Sequence, residues 1–294
     1  MIATLLALSA LTAPAAPATD GVFFVAPDGQ HVLLRRVPGA ECAGRLRLAL
    51  DGDAIVCRPP PLEAEPHQVW VGRHLTLQGG ARTCEAEVTG LALMAWLEPE
   101  ADAGGRTSAR KAWSRAGHDD RFLVATVKPR SGSTCKGARW AEAGPSALHV
   151  GRQPVGVDAA AAIDRFRAHP AYQALQKRFR AETRRAGAWD EDEGQGVLVR
   201  QLPAGEDTYV YAGAQVGGCG EFSADFWVIW KVTGDTWTSV TDADQVGGWF
   251  EPEALVEQGQ AAPVFLDRHL RIEPRGLGYE VVEDVAVESW ICPC

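Results

Sequence analysis

The hydrophobic pattern of residues 20–150 predicts a series of short β-strands. Apolar or alternating runs bounded by turn residues predict strands at 21–25, 30–36, 68–78, 84–97 and 121–128. The clearest unit is a hairpin around Asp51-Gly52, because a tight two-residue turn needs positive φ at both positions. Its register places Leu48 opposite Ile55. Many short strands separated by turns predict a sandwich or barrel-like β domain.

Residues 158–186 change to a helical pattern. Asp158 is positioned to cap a helix that begins with a run of alanines, and Pro170 interrupts that helix because it lacks a backbone donor. A second helix is predicted from Pro170 and is expected to stop at Gly187. Three of its residues form one buried stripe: Tyr172, Leu175 and Phe179.

From residue 195 onward the pattern returns to strands, at 196–202, 207–214, 225–233, 236–241, 262–273 and 278–291. Residues 225–232 are apolar on both faces, which predicts a central strand. The predicted fold class is therefore mainly β with a helical hairpin (α+β), in two β-rich lobes. We expect an N-terminal β-rich domain over 20–150, and a helical hairpin plus C-terminal β-rich domain over 157–294.

Residues 1–18 are typical of a secretory signal peptide. The apolar run 2–11 carries no charged side chain and is too short to span a bilayer, and small residues at Ala13-Pro14-Ala15 and Ala16-Pro17-Ala18 follow it. We predict a secreted or periplasmic protein with no integral membrane segment after signal removal. An uncleaved apolar N-terminus is the alternative.

Export would place the cysteines in an oxidising compartment, where they form disulfides. The chain has seven: Cys42, Cys57, Cys84, Cys135, Cys219, Cys292 and Cys294. Proximity in sequence favours Cys42–Cys57, Cys84–Cys135, and Cys219 with Cys292 or Cys294, which leaves one unpaired. The terminal Cys-Pro-Cys is interpreted as a structural staple, and a soft-metal or redox site is the alternative.

Charge excludes one class of partner. The net charge of −9 and the pI of about 5.3 argue against sequence-independent nucleic-acid binding, which needs a basic surface. The acidic run 190–193 is interpreted as a solvated loop. No nucleic-acid partner is predicted.

Residues 242–253 resemble a calcium loop of EF-hand type. Asp242 and Asp244 take its first and third positions, Gly247 its sixth and Glu253 its twelfth. The run departs from the pattern at the fifth position, where Val246 offers no side-chain oxygen. Asp242, Asp244 and Glu253 are the candidate calcium ligands, and an acidic surface turn is the alternative. No other cofactor is predicted.

Tryptophans crowd the second lobe. Trp227 and Trp230 lie on opposite faces of one predicted strand, so burial is favoured over a shared binding platform. Trp249 stands beside two glycines and is the candidate ligand contact. A further alternative is a thiol nucleophile at Cys219, with His269 beside Asp267 as its general base.

The chain contains none of the common hydrolase, metalloprotease or nucleotide-binding motifs. We therefore predict an exported non-catalytic binding or structural protein of unknown ligand, with a protein or carbohydrate partner. One alternative is a secreted hydrolase that uses acidic residues. The other is a metal or redox protein acting through the C-terminal Cys-Pro-Cys.

Overall fold

The computed structural model describes residues 21–49, 54–79, 82–96, 121–130, 135–144, 148–151, 159–191, 196–217, 222–258, 261–276 and 278–285. The first eight strands are β1 (Gly21–Phe24), β2 (His31–Arg36), β3 (Arg47–Ala49), β4 (Ala54–Cys57), β5 (His74–Gly79), β6 (Arg82–Trp96), β7 (Arg121–Pro129) and β8 (Trp140–Ala143). The later strands are β9 (Leu148–Val150), β10 (Leu198–Ala204), β11 (Asp207–Val216), β12 (Ala224–Thr233), β13 (Thr236–Asp242), β14 (Ala254–Gln258), β15 (Ala261–Leu266), β16 (Leu270–Arg275) and β17 (Gly278–Asp284). The α-helices are α1 (Pro61–Ala64), α2 (Ala159–Ala168), α3 (Pro170–Thr183) and α4 (Ala243–Val246), with 3₁₀ helices at Glu65–Trp70 and Trp189–Glu191.

The first eight strands form one antiparallel sheet that curls into a nearly closed barrel. Its closed part runs β1-β8-β5-β6-β7-β2, and a bridge between Val25 and Val32 joins the two ends. β6 carries a bulge between Val88 and Gly90, where the strand bends. Its first half pairs with β5 and its last residues pair with β4, which carries the edge strand β3. The predicted barrel-like β architecture is confirmed.

Two further sheets stack in succession, the middle sheet on the barrel and the outer sheet on the middle sheet. The middle sheet has the order β17-β16-β15-β14-β9, and the outer sheet has the order β10-β11-β12-β13. Alternation along β15 divides the middle sheet, because Val264 and Leu266 pack on the barrel while Phe265 packs on the outer sheet. The far face of the outer sheet packs against Phe166 and Phe179 of helices α2 and α3. The result is a layered stack of barrel, middle sheet, outer sheet and helices.

Several local predictions are confirmed. Leu48 pairs with Ile55, as the hairpin register requires, although the turn 50–53 lies outside the described residues. Helix α3 begins at Pro170 directly after α2, and Tyr172 and Phe179 are buried. Trp227 and Trp230 pack into two different cores on opposite faces of β12.

Other local predictions are wrong. The segment predicted as a strand from residue 68 starts with a 3₁₀ helix, because Pro66 occupies its first turn and favours helical φ. The predicted strand 262–273 is two strands, separated by a turn at Asp267. Helix α3 ends at Thr183 rather than Gly187, because Arg184 adopts a left-handed conformation with φ of 58°.

Strands β8, β9 and β14 lie in segments where no strand was predicted. β9 pairs with β14, so a strand from the end of the predicted N-terminal domain extends the middle sheet. Asp158 and residues 286–294 are outside the described residues. Within the described part of the chain, the helices are all too short or too polar to cross a bilayer.

Candidate ligand-binding cleft

A cleft of about 800 Å³ opens on the barrel, where the β1–β2 turn faces the hairpin β3–β4 and the end of β6. Its largest apolar side chain is Trp96, and the polar residues on its wall are Asp28, Gln30, His31, Arg47, Arg58, Thr126 and Lys136. We call this the cation cleft. Its volume lies within the range of small-molecule sites, about 300–1,000 Å³.

The β1–β2 turn places an oriented histidine on the wall of the cation cleft. Asp28 Oδ2 lies 2.7 Å from His31 Nδ1, and Asp28 Oδ1 accepts a hydrogen bond from the Gln30 backbone N at 2.8 Å. A carboxylate on Nδ1 holds the imidazole in one orientation and leaves Nε2 for a ligand. Both side chains are largely buried, so the pair is held in place by its surroundings.

The first disulfide holds this turn in position. Cys84 and Cys135 are bonded, as predicted from the sequence. Gly29 packs directly on the backbone of Cys135, since a Cβ at Gly29 would lie 2.3 Å from the Cys135 carbonyl oxygen. Gly29 also has φ of +66°, so glycine is required there both by contact and by conformation. Lys136, the next residue in the chain, lines the cleft.

The second disulfide holds the opposite wall. Cys42 and Cys57 are bonded, with a Cα–Cα distance of 5.8 Å, and this pairing was also predicted. Cys57 and Arg58 both line the cation cleft. Each covalent link fixes the residues within its own wall, which preorganises that wall of the cleft.

Three cationic side chains give the wall of the cation cleft a positive charge. Arg47, Arg58 and Lys136 are exposed, and none forms an ion pair with a carboxylate of the described residues. Asp28, the acid on this wall, is already paired with His31. A protein of net charge −9 therefore presents a locally positive cleft, which favours anions.

Two of the three predicted calcium ligands have other partners. Asp242 caps helix α4, where its Oδ1 accepts from the Gln245 backbone N at 3.2 Å. Glu253 is buried and forms ion pairs with Arg139 and Arg268. Asp244 is exposed. Among the described residues there is no group of three His, Cys, Asp or Glu side chains that could hold a metal ion, and the calcium site stays a prediction.

The other candidate residues are dispersed. Trp249 is half-buried, with its ring centroid 6.5 Å from that of Tyr211, at the edge of the core between the middle and outer sheets. Asp267 Oδ1 accepts from the backbone N of His269 at 2.6 Å, so it stabilises a turn. Cys219, Cys292 and Cys294 are outside the described residues, and the redox, metal and thiol-nucleophile alternatives stay predictions.

One acidic residue departs clearly from its predicted environment. Asp190 was expected in a solvated loop, but its side chain is completely buried. Its Oδ2 lies 2.5 Å from Arg167 Nη2, and its Oδ1 accepts from the Tyr172 hydroxyl. Burial and this hydrogen bond raise the pKa of Tyr172 well above its usual range. Helical packing therefore removes Asp190 from water and compensates its charge.

Sequence reasoning did not identify the residues of the cation cleft. The one local signal was the turn Asp28-Gly29-Gln30 between two predicted strands, which places a polar turn before His31. Arg58 and Lys136 carry no sequence signal, because they meet only through the barrel. No protein-family model, curated protein or solved structure matches this chain.

Proposed function

We propose that this protein is an exported binding protein that holds a small oxyanion, carboxylate or phosphate, in the cation cleft. The observation that carries the proposal is the convergence of Arg47, Arg58 and Lys136 on one cleft without carboxylate partners among the described residues. Arginine and lysine are the side chains that most often bind such groups.

His31 extends the same chemistry. In the imidazolium form, His31 donates from Nδ1 to Asp28 at 2.7 Å, and its Nε2–H remains to donate to the bound anion. Trp96 supplies an apolar surface for the carbon skeleton of the ligand. We therefore assign the cation cleft, in which cationic side chains predominate, to ligand binding without catalysis.

Export is part of the proposal. Residues 1–18 act as a cleavable signal, and the mature chain folds in the periplasm or outside the cell. Support comes from the two disulfides Cys42–Cys57 and Cys84–Cys135, since such bonds persist in oxidising compartments.

Isothermal titration calorimetry with citrate tests the binding function. Citrate carries several carboxylates, and glycerol at the same ionic strength is the neutral control, because salt screens surface charge. We expect one citrate per chain. R58Q and K136Q should each weaken citrate binding by roughly tenfold, because each removes one charge-assisted hydrogen bond to the ligand.

K177Q is the matched control, because Lys177 is exposed on helix α3, far along the chain from the cleft residues. It should bind citrate as tightly as the unaltered protein. If K177Q and K136Q weaken citrate binding equally, the effect comes from net charge alone, and the proposal is overturned. Turnover of 4-nitrophenyl acetate that H31Q abolishes would overturn it in favour of the hydrolase alternative.

A further inference from the structure

A second cavity, of about 460 Å³, lies where the barrel meets the turn between β15 and β16 of the middle sheet. We call this the seam cavity. Its apolar wall includes Phe24, Leu33, Trp96 and Val285, and its polar rim consists of Arg139, Arg268 and His269. It adjoins the cation cleft at Pro27 and Trp96 but has its own charged rim.

The rim of the seam cavity carries excess positive charge. Arg139 and Arg268 both form ion pairs with a single buried carboxylate, that of Glu253, and Arg268 Nε lies 2.9 Å from Glu253 Oε1. Two guanidinium groups therefore share one carboxylate, and the carboxylate itself does not line the cavity. The neighbouring Arg200 is paired separately with Glu251.

Arg139 also lies close to other cations. Burial, followed by the charges of Arg268 and Arg200, lowers the pKa of Arg139, while Glu251 opposes this effect. The Arg139 side chain is 39% exposed and that of Arg268 is 60% exposed, so both can be reached from solvent. An anion at the rim would relieve their mutual repulsion.

We propose that the seam cavity binds an amphiphilic monocarboxylate, with its aliphatic chain against Phe24, Leu33 and Trp96 and its carboxylate on Arg139 and Arg268. Guanidinium groups pair with carboxylates through two parallel hydrogen bonds, which fixes the head group. The apolar wall contributes affinity with each methylene that it removes from water. This site shares Trp96 with the cation cleft, but its head-group residues, Arg139 and Arg268, do not line that cleft.

Calorimetric titration with octanoate tests the proposal, with butyrate and 1-octanol as controls. Octanoate should bind with one molecule per chain. Butyrate, which lacks most of the chain, should bind about tenfold or more weakly. 1-Octanol, which lacks the charge, should bind roughly tenfold more weakly than octanoate. Equal affinity for octanoate and butyrate would overturn the apolar part of the proposal.

Two variants separate the roles of rim and wall. R268Q should weaken octanoate by roughly tenfold and leave 1-octanol unchanged, because it removes a head-group charge and leaves the apolar wall intact. Glu253 keeps Arg139 as its ion-pair partner in this variant. V285F enlarges a wall residue and should weaken both ligands. R180Q, on the exposed face of helix α3, is the matched charge control and should change neither.

Unchanged octanoate affinity in R268Q would overturn the assignment of the carboxylate to this rim. Circular dichroism will show whether V285F folds. If it does not, the octanoate affinity of R268Q compared with that of R180Q still decides the outcome. Citrate titration of R268Q distinguishes the two sites, since binding in the cation cleft should persist. Loss of citrate binding together with octanoate binding would mean one shared site and would overturn the proposal of a separate seam site.

Discussion

Gly29 shows how one backbone position shapes the cation cleft. Its φ of +66° is strained for other residues, and the Cys135 carbonyl oxygen occupies the place where a side chain would begin. The neighbouring Asp28 orients His31, so displacement of this turn would move the histidine as well. At this scale the site depends on close contact between a turn and the backbone of a disulfide-bonded cysteine.

We expect G29A to destabilise the protein more than G234A does. Gly234 also has positive φ, +58°, but a Cβ there would meet no atom within 4 Å. G234A should therefore lower the free energy of unfolding by only the conformational strain, about 1–2 kcal/mol. G29A should lose about 1–3 kcal/mol more from steric overlap, as overpacked sites do. Urea unfolding measures both, and equal losses would contradict the contact with Cys135.

At the scale of elements, the helical hairpin is joined to the segment that follows it by one buried acid. Arg167 on α2 and Tyr172 on α3 both bind Asp190, which lies in the 3₁₀ helix Trp189–Glu191. Arg167 also contacts Glu191, whose side chain is 61% exposed. The two acids share a partner and differ in burial.

D190N should therefore cost much more stability than E191Q. Removal of the buried charge weakens two charge-assisted hydrogen bonds, and we expect a loss of about 2–3 kcal/mol in the free energy of unfolding. The exposed pair is screened by water, so E191Q should cost less than about 1 kcal/mol. Chemical denaturation at neutral pH measures the difference. Similar costs for the two variants would show that Asp190 is not buried in solution.

At the scale of the whole molecule, tyrosines lie in the core between the middle and outer sheets. Tyr209, Tyr211 and Tyr279 are buried there, and burial raises the pKa of each hydroxyl. The unfolded chain therefore releases these protons more readily than the folded protein. Their contribution to stability is fully present below the ordinary tyrosine pKa of about 10 and is lost as pH rises above it.

The free energy of unfolding should consequently fall between pH 10 and 11 by up to about 1.4 kcal/mol per pH unit for each such tyrosine. Y211F should reduce this slope and keep stability at neutral pH, because the buried Tyr211 hydroxyl has no hydrogen-bond partner among the described residues. Y279F is the comparison, because its hydroxyl donates to the Pro263 carbonyl oxygen at 2.9 Å. Y279F should lose about 1 kcal/mol at neutral pH. An unchanged alkaline slope in Y211F would refute the titration of Tyr211.

Several features of this fold could be predicted from local signals in the sequence. The Asp51-Gly52 signal predicted the pairing of Leu48 with Ile55, and Pro170 predicted the boundary between two helices, because both signals act within a few residues. Both observed disulfides followed from proximity along the chain. Strand periodicity indicated a barrel-like β domain but missed β8, β9 and β14.

The sequence by itself determined the strand-rich class and the helical hairpin, since turns and periodicity are local properties. It also predicted the pairs Cys42–Cys57 and Cys84–Cys135 from the order of the cysteines along the chain. Tertiary structure alone decided which charges meet. It buried Asp190 beside Arg167, joined Glu253 to Arg139 and Arg268, and left Arg58 and Lys136 facing one cleft. These contacts join residues far apart in the chain, and their energies depend on burial, which exists only once the sheets have packed.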